Sequence, residues 1–184
     1  MTDATSKVRT TVAEYLALPE TNRLIELLDG EIIVHPPPSD PHQKVSLALT
    51  RFLLESAPEG TIRVAPIGLY VDDHNYVEPD LFWVSAENTR CVLIDNQYWH
   101  GGPDLVIEIL SSSTAYHDNE IKYALYQQIG VREYWIVDPD VQTIAVYRQA
   151  DDQFVSQGTF QTGQSFESDA LSGVLVEIDP LFAD

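Results

Sequence analysis

Residues 102–139 read GPDLVIEILSSSTAYHDNEIKYALYQQIGVREYWIVDP, and this stretch decides the fold that we predict. Leu105–Leu110 is an apolar run of strand length, and Glu133–Val137 is a second one. Apolar residues recur every fourth position over 121–129, which predicts a helix with Asp118 as its N-cap. A strand, a helix and a second, parallel strand form a right-handed βαβ unit, so we place these strands side by side.

Glu108 is the one charged residue inside the first of these strands. By the two-residue period of a strand it shares a face with Val106 and Leu110, so we expect it to be buried. A buried, ionised carboxylate costs several kcal/mol unless a cation, a metal or hydrogen bonds compensate it. Lys122, in the first turns of the following helix, is within reach. Two hypotheses stay open here, a structural ion pair and a functional site.

A second carboxylate occupies a similar environment. Tyr76–Val84 is predicted to be one strand, in which Asp80 shares a face with Phe82 and Val84. Two carboxylates that converge at a strand end suit a hard divalent ion such as Mg²⁺, which prefers oxygen ligands. A nearby lysine can orient or help deprotonate a water, or stabilise developing phosphate charge. The alternative for Asp80 alone is a strand-end cap or turn residue.

The remaining patterns predict a mixed α/β (α+β) domain with a central mixed sheet flanked by helices. An N-terminal hairpin turns at Asp29-Gly30, a two-residue turn signal. The other predicted elements are a short helix after Thr11, a hairpin of Arg23–Leu28 and Glu31–Val34, a helix over His42–Ser56, strands over Thr61–Ala65 and Ile67–Val71, antiparallel edge strands over Gln142–Arg148 and Gln153–Gln157, and a last strand and turn in Leu175–Phe182.

Composition limits the function classes. The 184 residues with 44% hydrophobic content predict a single domain over 1–184. The formal charge of −19 counts against broad nonspecific binding to nucleic acid. Without a signal peptide, a membrane-span run or a cysteine framework, we expect a soluble, cytoplasmic protein. P-loop and serine-hydrolase motifs are missing from the sequence, so those activities are disfavoured.

Several long motifs resemble one known family. They are LLDGEIIVHPPPSDPH at 27–42, EPDLFWVS at 78–85, PDLVIEILSSST at 103–114, the spacing of Asp118 and Lys122, and GVREYWIVDP at 130–139. Together they are similar to the Uma family of restriction endonucleases, within the PD-(D/E)XK nuclease superfamily, over roughly residues 12–182. The resemblance implies a restriction-endonuclease-like fold and hydrolysis of DNA phosphodiesters with Mg²⁺, for which Mn²⁺ can substitute.

The same resemblance implies the roles of individual residues. Asp80 and Glu108 would bind the metal with the carbonyl of Ile109, and Lys122 would lie beside the attacking water. One departure is Leu110, which stands where the wider superfamily has its lysine, so the resemblance implies that Lys122 supplies that group from the helix. Glu31 occupies a family-like position and is a candidate additional metal or water ligand.

His42 also occupies a family-like position, but a histidine at this point is more often a helix-start or surface residue than a ligand. Three hypotheses for the whole protein remain. The first is a DNA endonuclease, in which a local basic groove or a homodimer offsets the acidic charge. The second is a non-catalytic binding or regulatory protein on a nuclease-like scaffold. The third is an enzyme that acts on a smaller phosphoester.

Overall fold

The structure is a computed structural model that describes residues 9–19, 21, 23–111 and 117–183, without the side chains of 117–119. The chain enters through α1 (Val12–Leu16), which a capping box of Thr11 and Glu14 starts as predicted. The longest helix is α2 (Asp40–Ser56), whose N-cap is Ser39. After β9 the chain forms a π-helical turn (His117–Lys122) and then α3 (Tyr123–Gln128), and α4 (Asp179–Phe182) lies near the end.

The described strands number fourteen and lie in three sheets. They are β1 (Ile25–Leu28), β2 (Glu31–Val34), β3 (Gly60–Val64), β4 (Gly68–Asp72), β5 (Asn75–Val77), β6 (Leu81–Ser85), β7 (Val92–Ile94), β8 (Tyr98–His100), β9 (Leu105–Ile109), β10 (Glu133–Asp138), β11 (Thr143–Ala150), β12 (Gln153–Gln161), β13 (Ser165–Ser168) and β14 (Val174–Glu177). The first sheet has the order β2-β1-β5-β4-β8-β7, and the second has the order β12-β11-β10-β9-β6-β3. β13 and β14 form a separate hairpin.

The predicted parallel pair is confirmed in the second sheet. β9 and β10 run parallel, with Leu105 opposite Glu133 and Ile109 opposite Val137, and the helical segment lies between them in sequence. The predicted N-terminal hairpin of β1 and β2 is also confirmed. Its turn residues Asp29 and Gly30 both have positive φ, as a tight turn of this kind requires.

The second sheet separates two hydrophobic clusters, as the alternation along β9 predicts. Leu105 and Ile107 belong to the cluster that includes Leu49 and Leu53 of α2. Val106 belongs to the opposite cluster, which includes Tyr126 of α3 and residues of the first sheet. Each β9 face is therefore buried, and a charged side chain in this strand must find its partners inside the protein.

Two predictions about strands need correction. The stretch Tyr76–Val84 is not one strand, because β5 ends in the first sheet and β6 begins in the second. The residues between them include Pro79, which has no N–H for a sheet hydrogen bond. Of the two C-terminal strands that were predicted as edges, only β12 is an edge, because β11 lies between β12 and β10.

The start of the predicted crossover helix also differs. It begins at His117 with a π-helical turn, one residue before the predicted N-cap Asp118, whose side chain lies outside the described part of the chain. The hairpin of β7 and β8 was not among the predicted elements. Within the described ranges, no helix is long and apolar enough to cross a membrane.

Candidate active site

A cavity of about 630 Å³ lies where the two sheets and α2 approach one another. Asp80, Glu108, Ile109 and Lys122 line it. The structure therefore brings four of the five residues that the sequence singled out to one place. Four of the further polar side chains on the cavity wall lie close to them, namely those of Glu26, His35, His42 and Glu78.

Glu108 is the buried carboxylate that the alternation along β9 predicted. It is 2% exposed, and its Oε1 atom accepts hydrogen bonds from Lys122 Nζ at 3.0 Å and from the Tyr126 hydroxyl at 2.5 Å. Tyr126 is completely buried in α3. Burial and the neighbouring Glu108 carboxylate raise the pKa of Tyr126 well above its usual range, so the hydroxyl keeps its proton and donates a hydrogen bond to Glu108.

Lys122 binds a second carboxylate that the sequence analysis missed. Its Nζ atom lies 2.9 Å from Glu26 Oε1 and 3.0 Å from Glu108 Oε1. Lys122 is the last residue of the π-helical turn and is only 3% exposed, and Glu26 in β1 is 1% exposed. The lysine therefore links the first sheet to the second at the wall of the cavity.

Glu26 has further partners on its own side of the cavity. His35 Nε2 lies 2.7 Å from its Oε2 atom, and the backbone N–H of Glu78 donates to its Oε1 at 2.7 Å. Burial alone would raise the pKa of Glu26. The Lys122 ammonium, the His35 ring and the Glu78 amide outweigh burial and lower that pKa to about 2. Glu26 is therefore ionised at neutral pH.

Asp80 lies in the break between β5 and β6. Its Oδ2 atom accepts a hydrogen bond from the backbone N–H of Ile109 at 2.8 Å, and His42 Nε2 lies 3.2 Å from its Oδ1. The Asp80 side chain is 16% exposed, more than Glu108 or Lys122. His42 lies in the first turn of α2 and is buried. It therefore contacts Asp80, whereas a surface residue at a helix start would contact solvent.

Glu78 adds a second titratable carboxyl to the same segment. Burial and the nearby Glu26 carboxylate raise its pKa to about 7, and the charges of Lys122 and His35 act in the opposite direction. The group is partly exposed at the cavity wall. Its charge therefore changes near neutral pH, unlike that of Glu26.

The structure does not place Glu31 in this site. Glu31 is exposed at the first position of β2, opposite Leu28 next to the hairpin turn, and it is not among the residues that line the cavity. Glu26 in the preceding strand lines the cavity instead. A signal for Glu26 was present in the sequence, because Ile25-Glu26-Leu27-Leu28 breaks an apolar run as Ile107-Glu108-Ile109-Leu110 does. No sequence signal pointed to Tyr126 or His35.

The donor set fits a hard divalent ion with few protein ligands. Asp80 and Glu108 offer carboxylate oxygens in a cavity that Ile109 also lines, and Mg²⁺ commonly binds one or two carboxylates and keeps several waters. In the described residues there is no group of three or more His, Cys, Asp or Glu side chains arranged to hold a metal. A metal at this cavity would therefore rely on water and substrate oxygens for the rest of its coordination.

Comparisons with known proteins agree with this fold. A solved structure of a "putative nuclease belonging to DUF820" from Anabaena variabilis superposes with a TM-score of 0.72 and 23% identity, over 94% of this chain and 97% of the other. That likeness shows a shared fold and confirms the predicted mixed α+β class. An uncharacterized protein of Synechocystis sp., sll1609, is 31% identical over 159 residues, which cover 83% of this chain and 88% of the relative.

A family model confirms the family that the sequence motifs predicted. The model of the Uma2 family, described as "Putative restriction endonuclease", matches residues 12–179. That range contains Lys122 and the four carboxylates of the cavity wall, Glu26, Glu78, Asp80 and Glu108. Because the match extends over most of the sequence, the chain belongs to the Uma2 family.

Proposed function

We propose that the protein is a metal-dependent endonuclease that hydrolyses DNA phosphodiester bonds. One observation carries the proposal: Asp80, Glu108, the Ile109 backbone and Lys122 line one cavity, although three different segments supply them. The description of the Uma2 family supports the same kind of chemistry. Charged groups are rarely buried together in this way without a functional or a strong structural reason.

Asp80, Glu108 and the Ile109 carbonyl would hold Mg²⁺, or Mn²⁺ in its place. When bound, the ion would act as a Lewis acid and lower the pKa of a coordinated water. The backbone N–H of Ile109 and the ring of His42 fix the orientation of the Asp80 carboxylate. The hydroxyl of Tyr126 fixes that of Glu108. The chain thus holds both carboxylates in place before a substrate arrives.

The contacts of Lys122 narrow its role. Two carboxylates around one ammonium favour the charged form, because each stabilises the positive charge. A lysine held in this way stabilises negative charge that develops on the phosphoryl oxygens, and it does not remove a proton from water. We therefore assign Lys122 an electrostatic role, and we assign Glu26 the role of positioning Lys122.

A cleavage assay with Mg²⁺ or Mn²⁺ on single- and double-stranded DNA tests this function. Wild-type protein should cut DNA, and Asp80→Asn and Glu108→Gln should each reduce the rate at least about 100-fold, the usual effect of losing a group that organises the transition state. Asp140→Asn is the matched control, because Asp140 is exposed and does not line the cavity. Unchanged activity in both site variants would reject their assigned roles.

A non-catalytic binding or regulatory protein on the same scaffold is the second candidate. The observation that favours it is the ion network, in which Lys122 Nζ lies 2.9 Å from a Glu26 oxygen and 3.0 Å from a Glu108 oxygen, because a structural role would account for all three groups. The formal charge of −19 is a further argument against DNA as the partner. Calorimetric titration with Mg²⁺ and Mn²⁺ separates the two candidates, because binding of neither ion to wild-type protein would favour the non-catalytic one.

A further inference from the structure

The groups that would carry the chemistry lie below the protein surface. Glu108 and Lys122 are 2% and 3% exposed, and the Asp80 side chain is 16% exposed. The cavity wall also contains apolar residues, among them Pro36–Pro38 and Pro66. A phosphodiester must therefore enter the cavity to approach Asp80 and Glu108.

The cavity is of a size that suits a small part of a nucleic acid. Its volume of about 630 Å³ is within the range of pockets that enclose small-molecule ligands. A DNA duplex is stiff on the scale of a binding site. Away from its ends, it can place one of its phosphates inside a cavity only by deforming, which costs free energy. A single strand can splay out individual nucleotides, and enzymes that need access to one nucleotide act on single strands or extruded residues.

The basic residues also argue against binding to a duplex. Among the described residues, several basic side chains already form ion pairs with carboxylates of this chain. They include Arg9 with Asp29, Lys122 with Glu26 and Glu108, Arg132 with Asp104 and Asp169, and Arg148 with Glu133. Duplex-binding surfaces depend on many cations that contact phosphates, whereas this sequence has ten basic residues against 29 acidic ones.

One basic side chain lies at the cavity in an exposed position. Arg23 lines the cavity and is exposed, whereas Lys122 is buried at its wall. An exposed guanidinium at this point can form a charge-assisted hydrogen bond with a phosphate next to the one inside the cavity. One such contact is enough to favour a polymer over an isolated diester, without a duplex-sized basic surface.

We infer that the site acts on single-stranded or frayed DNA, with one phosphodiester inside the cavity and a flanking phosphate bound by Arg23, and not on the interior of a duplex. This inference rests on the proposed function, since it names the substrate class of that site. It assigns Arg23 a role that neither motif spacing nor the ion network had indicated.

The test compares three substrates at one Mn²⁺ concentration. They are bis(4-nitrophenyl) phosphate, a linear single strand, and a relaxed, covalently closed circular duplex that contains the same sequence. We expect turnover of the small diester and cleavage of the single strand at least about tenfold faster than cleavage of the circle, with Asp80→Asn inactive on all three. Cleavage of the circle as fast as the single strand would overturn the inference and leave the endonuclease function intact. No turnover of any substrate would overturn the function itself.

A charge-matched pair of variants tests the Arg23 contact. Arg23→Ala should raise KM for the single strand about tenfold, the effect of losing one hydrogen bond to a charged group, and leave turnover of the small diester unchanged. Arg51→Ala removes the same charge from an exposed position in α2 that does not line the cavity, and it should leave both substrates unaffected. Equal effects of the two variants would reject the flanking contact.

Discussion

At the scale of single residues, Glu26 and Glu108 are equivalent partners of the buried Lys122 ammonium. Each carboxylate contacts Lys122 Nζ, at 2.9 and 3.0 Å, and each is almost fully buried. Glu26→Gln removes one of the two negative charges around the ammonium and keeps the side-chain volume. We expect the free energy of unfolding to fall by about 1–3 kcal/mol in urea titrations, because the buried lysine loses part of its compensation.

Glu31→Gln is the control for that substitution. It makes the same chemical change five residues away, but Glu31 is exposed and outside the cavity. Its effect on the free energy of unfolding should stay within about 0.5 kcal/mol, as is usual for surface substitutions. Equal losses in the two variants would mean that the Lys122–Glu26 contact does not stabilise the protein.

The pKa of Glu26 gives a second prediction at this scale, about acid stability. The pKa is lowered from 4.5 to about 2 in the folded protein, so the unfolded chain binds the proton more tightly. The stabilisation by Glu26 is therefore present above about pH 4.5 and is lost as the pH falls towards 2.

Unfolding titrations between pH 6 and pH 3 measure this effect. Wild-type protein should lose stability more steeply in that window than Glu26→Gln, which has no proton to bind at this position. Parallel pH profiles of the two proteins would show that Glu26 titrates normally.

The residues of the site were predictable only where they interrupt a pattern. Asp80, Glu108 and Lys122 each stand out against apolar strand or helix positions, and the motifs of the family reinforced them. Glu26 interrupts its strand in the same way, but the hairpin motif drew attention to Glu31. Two of the partners of Glu26, Lys122 in the π-helical turn and the backbone N–H of Glu78, lie far along the chain, so local sequence patterns could not identify which hairpin acid turns inward.

At the scale of elements, the β1–β2 hairpin places Glu26 and depends on its turn glycine. Gly30 has φ +77°, and a Cβ added there would lie 2.6 Å from Arg9 Cβ. Gly163 has a similar φ of +83°, but nothing lies within 4 Å of an added Cβ. Both Gly→Ala variants should cost about 1–2 kcal/mol for the left-handed backbone.

Gly30→Ala should cost about 1 kcal/mol more than Gly163→Ala, because Arg9 and its backbone must move. Urea unfolding of both variants measures the difference. Equal losses would show that the close approach of Arg9 does not contribute to the stability of the hairpin.

Strand pairs that a turn signal or a strand–helix–strand pattern joins were predicted, and pairs without such a signal were not. The hairpin of β1 and β2 and the pair of β9 and β10 follow from turn signals and apolar runs. The change of sheet between β5 and β6 does not, because period-two alternation continues through Pro79 in the sequence. The first sheet also depends on the parallel pairing of β4 with β8, across some thirty residues of chain, which no local pattern encodes.

At the scale of the whole molecule, a metal that binds only the folded protein should stabilise it. By mass action, about 100 times Kd of ligand adds about 2.7 kcal/mol. For a chain of this size that raises Tm by about 5 °C or more. Mg²⁺ or Mn²⁺ should produce this shift in wild-type protein and a much smaller one in Asp80→Asn, at an ionic strength matched with NaCl.

Asp140→Asn controls for general screening of the acidic surface, since it removes an exposed charge outside the cavity. It should keep the full metal-induced shift. A shift of equal size in Asp80→Asn would show that the metal acts elsewhere on the molecule.

The net charge predicts an unusual salt dependence for the whole protein. Most DNA-binding proteins lose affinity as salt rises, because their cations release counterions from the phosphates. Here the formal charge is −19, and long-range repulsion slows the approach of any polyanion. Salt screens that repulsion over a Debye length of about 10 Å at 0.1 M. Only Arg23 is assigned to a flanking phosphate. One such contact gives a slope of about −0.7 in a plot of log affinity against log salt concentration for a single strand, so added salt weakens binding only modestly.

We therefore expect kcat/KM for a single-stranded substrate to stay level or rise by up to a few-fold between about 0.02 and 0.15 M NaCl at constant Mn²⁺. A parallel series with bis(4-nitrophenyl) phosphate controls for effects of salt on the chemical step, because that substrate carries a single charge. A fall of 100-fold or more would require many protein–phosphate contacts. That result would mean that a cationic surface on this or a partner chain binds the DNA.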